Sequence, residues 1–466
     1  MGWTILRPFA LMLALAALAT PLLGQGSSVY THSACVSARG HTAVAAPCGD
    51  ASSVFYNPAS LAMMPSALSG GFTAVLNRGS FTYDQGARSG QTVDREGTTT
   101  PVPHGYASLR FGDRLAVGFG AWAPYGLGIE WPETFEGRYI SWKSQLRAFY
   151  LQPTLAYQVI PDRLAIGLGP QIVLGGLELN QYQDAHFLGI PGTPFTFGNL
   201  GVPEDTPFAA ATLSGDGTGV GGQIGLHFQA SDRLTLGARY MHSVTLDLSG
   251  DGEFSQVSNP QVMVTGPFGP GGAPATVPLD MLLADQFEPG GPLVDQSVKA
   301  ELTLPPQAVV GLRFLATPEL ELTAEYQWTG WSTFDTIAPV LSVQGESPPL
   351  VLEYQDAHTF RLGGSYQVTE PLVVRAGFLA NTPAAPDQTV TPILPEARRW
   401  LLSGGIGYDF GIIRLDAFYN YLSQADRRGR VRTPPMGQSG TVANIGVYDT
   451  TTHLVGVTFA YGIPLR

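Results

Sequence analysis

The stretch DRLAVGFG (113–120) returns as DRLAIGLG (162–169) and again as DRLTLGAR (232–239). Each copy opens on a turn-forming Asp and continues with large and small residues in alternation. The copies start 49 and then 70 residues apart, too unequal for a solenoid, which keeps a fixed period. What recurs is therefore a local device, with segments of variable length between its copies. After the second turn, Leu164, Ile166, Leu168, Ile172 and Leu174 share one face, while Ala165, Gly167, Gly169, Gln171 and Gly175 share the other. After the third, Leu234, Leu236, Ala238 and Tyr240 oppose Thr235, Gly237 and Arg239. A period of two marks a strand with one apolar face.

Each turn also follows a strand-like segment: PHGYASLRFG (103–112), FYLQPTLAYQV (149–159) and GVGGQIGLHFQA (219–230). The device is thus a β-hairpin. Thr317-Pro318, Thr369-Glu370-Pro371 and Phe410-Gly411 fill the same slot with other letters. Between hairpins lie long polar or Pro/Gly-rich connections, at 84–102, 125–142, 181–217, 250–298, 340–353, 383–396 and 425–448. Short turns at one end and long loops at the other are the pattern of an outer-membrane barrel. About fourteen strands are expected, beginning near 70, 103, 114, 145, 163, 218, 233, 300, 318, 356, 371, 398, 411 and 451. Tyr157, Tyr240, Trp328, Tyr366, Trp400, Tyr408, Tyr419 and Tyr421 fall where interfacial aromatic girdles belong.

Composition agrees with an all-β transmembrane antiparallel barrel. The 466 residues include 57 Gly and 37 Pro, with only 13 % charged, against about 25 % in a soluble domain. Mean hydropathy is nevertheless only +0.08, and past residue 24 no apolar run is long enough for a spanning helix. Arg7 followed by PFALMLALAALATPLLG reads as a secretory signal peptide over 1–24. An exported, low-charge chain without spanning helices has closed strands as its way into a membrane. Residues 25–66 precede the first strand and are expected to plug the lumen as a hatch, with the barrel over 67–466. The small inward residues make room for that plug or line a path for an apolar ligand.

A net charge of −12 argues against a nucleic-acid partner. The two cysteines, Cys35 and Cys48, either stay as buried thiols or close a loop worth roughly 3 kcal/mol in an oxidising compartment. The eight His are scattered, with no H-x-x-x-H pair and no G-x-S-x-G elbow elsewhere, so neither a metal site nor a hydrolase nucleophile is expected.

The segment GDASSVFYNPASLAMMP (49–65) resembles the N-terminal hatch of the FadL/TodX family of outer-membrane transporters for long-chain fatty acids and other hydrophobic compounds. The matching residues are Asp50, Asn57, Pro58, Ala59 and Leu61. PYGLGIEW (124–131), LDLSGDGEF (246–254), LTLPPQ (302–307), AEYQWTGWSTF (324–334) and YQDAHTFRLGGSYQV (354–368) also resemble that family's signatures, in order. The resemblance implies a fourteen-stranded barrel with a hatch, no enzymatic activity and no cofactor. It further implies capture between outer loops, a lumen site beside the hatch, and sideways release where the third strand kinks. Expected partners are the hydrophobic ligand, outer-membrane lipid and lipopolysaccharide, and the barrel-assembly machinery during biogenesis.

Three sets of residues are candidates for that path. The loops at 181–217 and 250–298 are unusually apolar, and a groove is expected from Phe187, Leu188, Phe195, Phe197, Phe208, Phe268, Leu279, Met281, Leu282 and Leu283; packing of these residues on one another is the plainer reading. Arg110, Arg239, Arg313, Arg361, Arg375 and Arg414 fall on inward faces, with Asp247, Glu321, Glu325 and Asp416 as partners. They either tie wall to hatch or leave one Arg free for a substrate carboxylate. In the third strand Gly118, Gly120 and Pro124 permit a bend and a lateral exit, or the glycines only clear space for the hatch. Fatty-acid uptake leads, with aromatic or alkane hydrocarbons as an alternative. From other classes, a general diffusion porin and an outer-membrane lipase remain.

Overall fold

The computed structural model describes residues 28–464 apart from 85, 98, 348 and 433–444. The expected signal peptide lies outside the described residues. The wall strands are β1 (Ala67–Tyr83), β2 (Thr99–Phe111), β3 (Leu115–Glu130), β4 (Lys143–Ile160), β5 (Leu164–Asp184), β6 (Pro207–Gln229), β7 (Leu234–Met241) and β8 (Val244–Gln256). They continue as β9 (Gln296–Leu304), β10 (Gln307–Leu315), β11 (Leu320–Thr329), β12 (Ala357–Thr369), β13 (Leu372–Asn381), β14 (Arg399–Asp409), β15 (Ile413–Gln424) and β16 (Gly446–Gly462). Every neighbouring pair is antiparallel, and β16 pairs with β1 from Gly462↔Ala67 to Gly446↔Tyr83, which closes the sheet. β7 with β8, and β9 with β10, each form one broken stave, so the wall has fourteen, as expected. Closure gives every stave a neighbour on both sides.

Alternation turns large residues outward. Ile166, Leu168, Ile172 and Leu174 are exposed to the membrane side, while Ala165 and Gln171 of the same strand are buried within. The strands run further out than the composition indicated: β6 begins at Pro207 and β8 ends at Gln256. Glycine- and threonine-rich segments there still find ladder partners, such as Gly175↔Gly217 and Gly215↔Gly250. The two longest loops shrink to 185–206 and 257–295.

The seventh stave carries a phase change. Thr235, Gly237, Arg239 and Met241 face inward on β7; past His242–Ser243 the inward set becomes Val244, Leu246 and Leu248. One irregularity reverses every later side chain. Asp247, expected in the lumen, is therefore exposed on the outer surface. Next to this break the eighth stave is interrupted by Pro305-Pro306, which supply no ladder donors. The inner surface changes character at this level, from Gln, Arg and Thr below to Val and Leu above.

Residues 28–66 lie inside the barrel and are almost entirely buried. They form α1 (Ala34–Ala38), α2 (Ser53–Tyr56) and a 3-10 turn over Pro58–Met63. Ser33 caps α1 through its side chain, 3.3 Å from the Val36 amide. Cys35 and Cys48 are joined as a disulfide.

Candidate ligand cavities and the hatch

The hatch is held by polar groups that point inward from the wall. Asn57 accepts from the Ala59 amide at 3.2 Å, capping the 3-10 turn with Pro58 in its first position. Its Nδ2 donates to Val44 O at 2.6 Å and to Leu226 O of β6 at 2.9 Å. Asp50 accepts from Ser33 Oγ, from Ser52 Oγ at 2.6 Å and from the Ser52 amide at 3.1 Å. Gln152 donates to Val54 O at 2.8 Å and Gln158 to Ala62 O at 2.6 Å. Buried carbonyls that would otherwise lack partners are satisfied in this way.

The inward arginines mostly serve the same anchoring. Glu321 is bridged between Arg39 of the hatch and Arg313 of the wall. Arg361 lies 3.6 Å from Glu325, which accepts from the Ala43 and Val44 amides. Arg375 and Arg414 meet on Asp416 at 2.8 and 3.0 Å. Arg239 donates to Phe55 O at 3.0 Å and to Gln307 Oε1 at 2.6 Å, its guanidinium over the Phe55 ring. Arg110 turns to the periplasmic hairpin and donates to Asp113 O at 2.8 Å. Of the six inward arginines, four are thus neutralised within the protein, Arg239 is bound by neutral groups, and Arg110 lies away from the lumen.

Above the phase change the lumen is apolar beside the seventh and eighth staves. A cavity of about 100 Å³ is bounded by residues including Leu127, Leu146, Leu248, Leu302, Trp331 and Leu394. None of the proposed loop groove residues lines it. Phe197, Phe208, Leu279 and Leu283 instead form a separate core between the two long loops, with Leu188, Phe268 and Leu282 packed against it. Phe187, Phe195 and Met281 are left exposed on that core. Sequence reading missed the cavity because its lining comes from segments scattered between Leu127 and Leu394. Its local traces are Val298, Ala300 and Leu302 on one face of β9 and Leu248 of β8, and the phase change disguises which way Leu248 faces.

The wall has a window. β2 and β3 pair from Phe111↔Leu115 to Gly105↔Ala121 and no further. Beyond that, 99–104 of β2 pair only with β1, and β3 resumes pairing with β4 at Tyr125↔Ala148 after an irregularity at Trp122. The bent segment is held inward by the hatch: Val29 N donates to Pro124 O at 2.7 Å, and Ser28 bridges Tyr125. Glu96 N donates to Glu130 O at 2.9 Å and closes the window at its outer end. The opening holds a cavity of about 260 Å³, bounded by residues including Gly71, Phe72, His104, Ala121, Trp122 and Phe459, and Phe72 and Phe459 face the lipid side.

Pro124 thus sits in the bend, but Gly118 and Gly120 do not. Both remain in register with β2 and β4. A side-chain carbon at Gly118 would lie 2.8 Å from Leu61 Cδ1, and one at Gly120 2.8 Å from Val54 Cγ1. These glycines give room to the hatch, and the break in pairing with β2 comes beyond Ala121.

A closed fourteen-stave barrel with an inner hatch and a laterally interrupted wall defines a class of outer-membrane transport protein. The chain belongs to the family described as outer membrane protein transport protein (OMPP1/FadL/TodX), whose model matches residues 15–462. It is 21% identical over 421 residues to the long-chain fatty acid transport protein of Escherichia coli O6:H1, covering 87% of this chain and 88% of that one. In fold it is similar to a FadL homologue of Pseudomonas aeruginosa, with a TM-score of 0.75 and 20% identity over 94% of this chain and 99% of that chain. It is also similar to the Pseudomonas putida toluene transporter TodX, at 0.66 and 17% over 94% and 100%. Its place is the bacterial outer membrane.

Proposed function

We propose that this protein mediates passive uptake of hydrophobic small molecules across the outer membrane, a long-chain fatty acid being the first candidate. The outer loops capture the ligand, the apolar cavity receives it, and the window between β2 and β3 releases it into the bilayer. No bond is made or broken, and no cofactor takes part. The observation that carries this reading is the window itself. The hatch fills the axial route with anchored, buried chain, whereas the lateral route has a cavity of about 260 Å³ and an apolar outer rim. An apolar solute that leaves sideways never has to enter water, and each methylene kept from water is worth about 0.8 kcal/mol.

A hydrocarbon is the second reading, favoured by the almost wholly apolar lining of the cavity and by the likeness to a toluene transporter. A general porin would need an open aqueous path, which the hatch blocks.

Bridging Pro103→Cys to Ala123→Cys with a short bifunctional thiol reagent tests the route, since Cys35 and Cys48 are already joined. Uptake of a radiolabelled fatty acid should stop while binding to the outside persists. Uptake that survives a quantitative cross-link would place the exit elsewhere.

A further inference from the structure

Arg95, in the first outer loop, is a buried guanidinium with no carboxylate. It is 8 % exposed, its amide donates to Gly79 O at 2.8 Å, and its side chain donates to Asn77 Oδ1. Among the described residues no Asp or Glu comes within ion-pair distance of it, and the remaining stretches of sequence contain neither residue type. Its buried counterparts are otherwise provided for: Arg39 by Glu321, Arg361 by Glu325, Arg375 by Asp416 and Arg399 by Glu396. Arg239, the other one without a carboxylate, donates to two carbonyl oxygens and borders a space of only about 10 Å³.

The surroundings of Arg95 are rich in donors. It lines a small cavity of about 20 Å³ with Glu396, Arg399, Gln424, Thr450 and Thr452. Arg399 Nε is buried there without a partner. The one acid present is already occupied: Glu396 Oε1 meets Arg399 at 3.2 Å, and Oε2 accepts from the Ala384 and Ala385 amides at 2.9 and 3.0 Å. What the site lacks is an acceptor carrying negative charge. A buried cation without one is costly, and the cost disappears when an anion arrives.

This small cavity adjoins the apolar one. Leu394 borders both, and Leu127 and Ile129, successive inward residues of β3, border one each. Two residues along a strand span about 7 Å, the length of a short piece of alkyl chain.

We propose that Arg95 is the head-group site of the lumen, taking the carboxylate of an amphiphile whose apolar body fills the cavity beside it. Arg399 Nε supplies a further hydrogen bond, and the room available suits one small head group. This deepens the uptake reading and rests on it. It also separates the two substrate classes, since a hydrocarbon leaves Arg95 unpaired and an ionised acid does not.

The test compares a twelve-carbon carboxylic acid with its methyl ester, both titrated at pH 8 into the full-length protein in non-ionic detergent and followed by intrinsic tryptophan fluorescence. The acid should bind the wild type about tenfold more tightly than the ester, as a charge-assisted pair implies. Arg95→Gln should bring the two within about threefold, with ester binding unchanged, and Arg95→Lys should keep part of the preference. Equal binding of acid and ester to the wild type overturns the proposal and leaves uptake of hydrophobic compounds standing; this arm needs no variant, so a folding defect cannot blunt it. Equal weakening of both ligands by Arg95→Gln also overturns it, because Arg95 would then only support the packing. If neither ligand binds the wild type, the uptake reading fails and this one with it.

Discussion

Gly237 of β7 lies so close to Val44 of the hatch that a side-chain carbon on it would occupy the Val44 carbonyl. Gly167 stands in the same relation to the Pro58–Ala59 peptide, and Gly118 to Leu61. These three glycines hold the sixth place in the three copies of the Asp-Arg-Leu motif. The recurring alternation of large and small residues thus serves two surfaces at once. Its large members face lipid, and its glycines let the hatch backbone approach the wall.

Gly237→Val should dislodge the hatch while leaving the barrel intact. Valine suits a strand, but overpacking against the Val44 carbonyl costs about 1–3 kcal/mol, and the hatch is the part free to yield. The heat-modifiable folded band should persist in gels, while planar bilayers show a steady conductance that the wild type lacks. Loss of the folded band would instead mean that this glycine serves barrel closure.

Asn57→Ala removes a cap and two hydrogen bonds that tie the hatch to itself and to β6. About 2–3 kcal/mol of hatch docking should go with them. Protease cleavage within 28–66 should increase several-fold and uptake should fall, with barrel assembly little changed. Equal loss of assembly and uptake would make this turn a folding element of the whole protein.

The strand count was legible because each stave alternates locally and each hairpin carries turn chemistry. The irregularities were less so. The reversal at His242–Ser243 has no Gly or Pro to announce it, so Asp247 was placed on the wrong face. Pairing failure after Ala121 depends on where β2 stops matching β3 and on the contact from Val29 to Pro124, both long-range facts. Arg95 was passed over as a loop residue, since burial of a loop side chain depends on strands distant in sequence. The arginines singled out instead were visible by their parity, and so were the carboxylates that turn out to pair with them.

Four outer segments are latched by charge, and that latch should respond to acid. Asp205 meets Arg88 at 2.7 Å, Arg138 at 3.0 Å and the Tyr139 hydroxyl at 3.0 Å. Arg432 reaches Glu136 at 2.9 Å and Asp184 at 2.8 Å while stacking on Tyr139. Burial pushes the Asp205 carboxyl up, but Arg138, the Tyr139 hydroxyl and Arg88 outweigh it and hold it below its ordinary value. A lowered carboxylate pKa gives stability that is present above the unfolded value, about 4, and lost as pH falls through the folded one. Spin labels on the loops 131–142 and 185–206 should therefore show a broadened distance distribution below about pH 4. Arg432→Ala should produce part of that broadening at neutral pH. A distribution unchanged in acid would assign the latch to packing alone.

The two apolar cavities are separated by a partition of aromatic rings, and this sets the last prediction. Trp331 borders the lumen cavity and Trp122 the window. Between them run Trp331–Tyr125 at 6.0 Å, Tyr125–Tyr150 at 6.2 Å and Tyr150–Trp122 at 6.1 Å between ring centres. All four rings are fully buried. Tyr125 is pinned, donating to Pro305 O at 2.5 Å and accepting from Gln307 at 2.9 Å, whereas no hydrogen bond of the Tyr150 hydroxyl is seen among the described residues. Of the two tyrosines in the middle of the partition, Tyr150 is therefore the one that gives way more cheaply when a ligand moves from cavity to window. Tyr150→Ala should lower folded stability by about 3–5 kcal/mol, the usual result of emptying a buried aromatic site, yet speed the uptake of a bulky fluorescent fatty acid. Tyr125→Phe keeps the ring but frees it from Pro305 and Gln307, and should speed uptake less. Slower uptake in Tyr150→Ala, at equal amounts of folded protein, would make these rings a surface along which the ligand is bound, and the partition would not be the barrier.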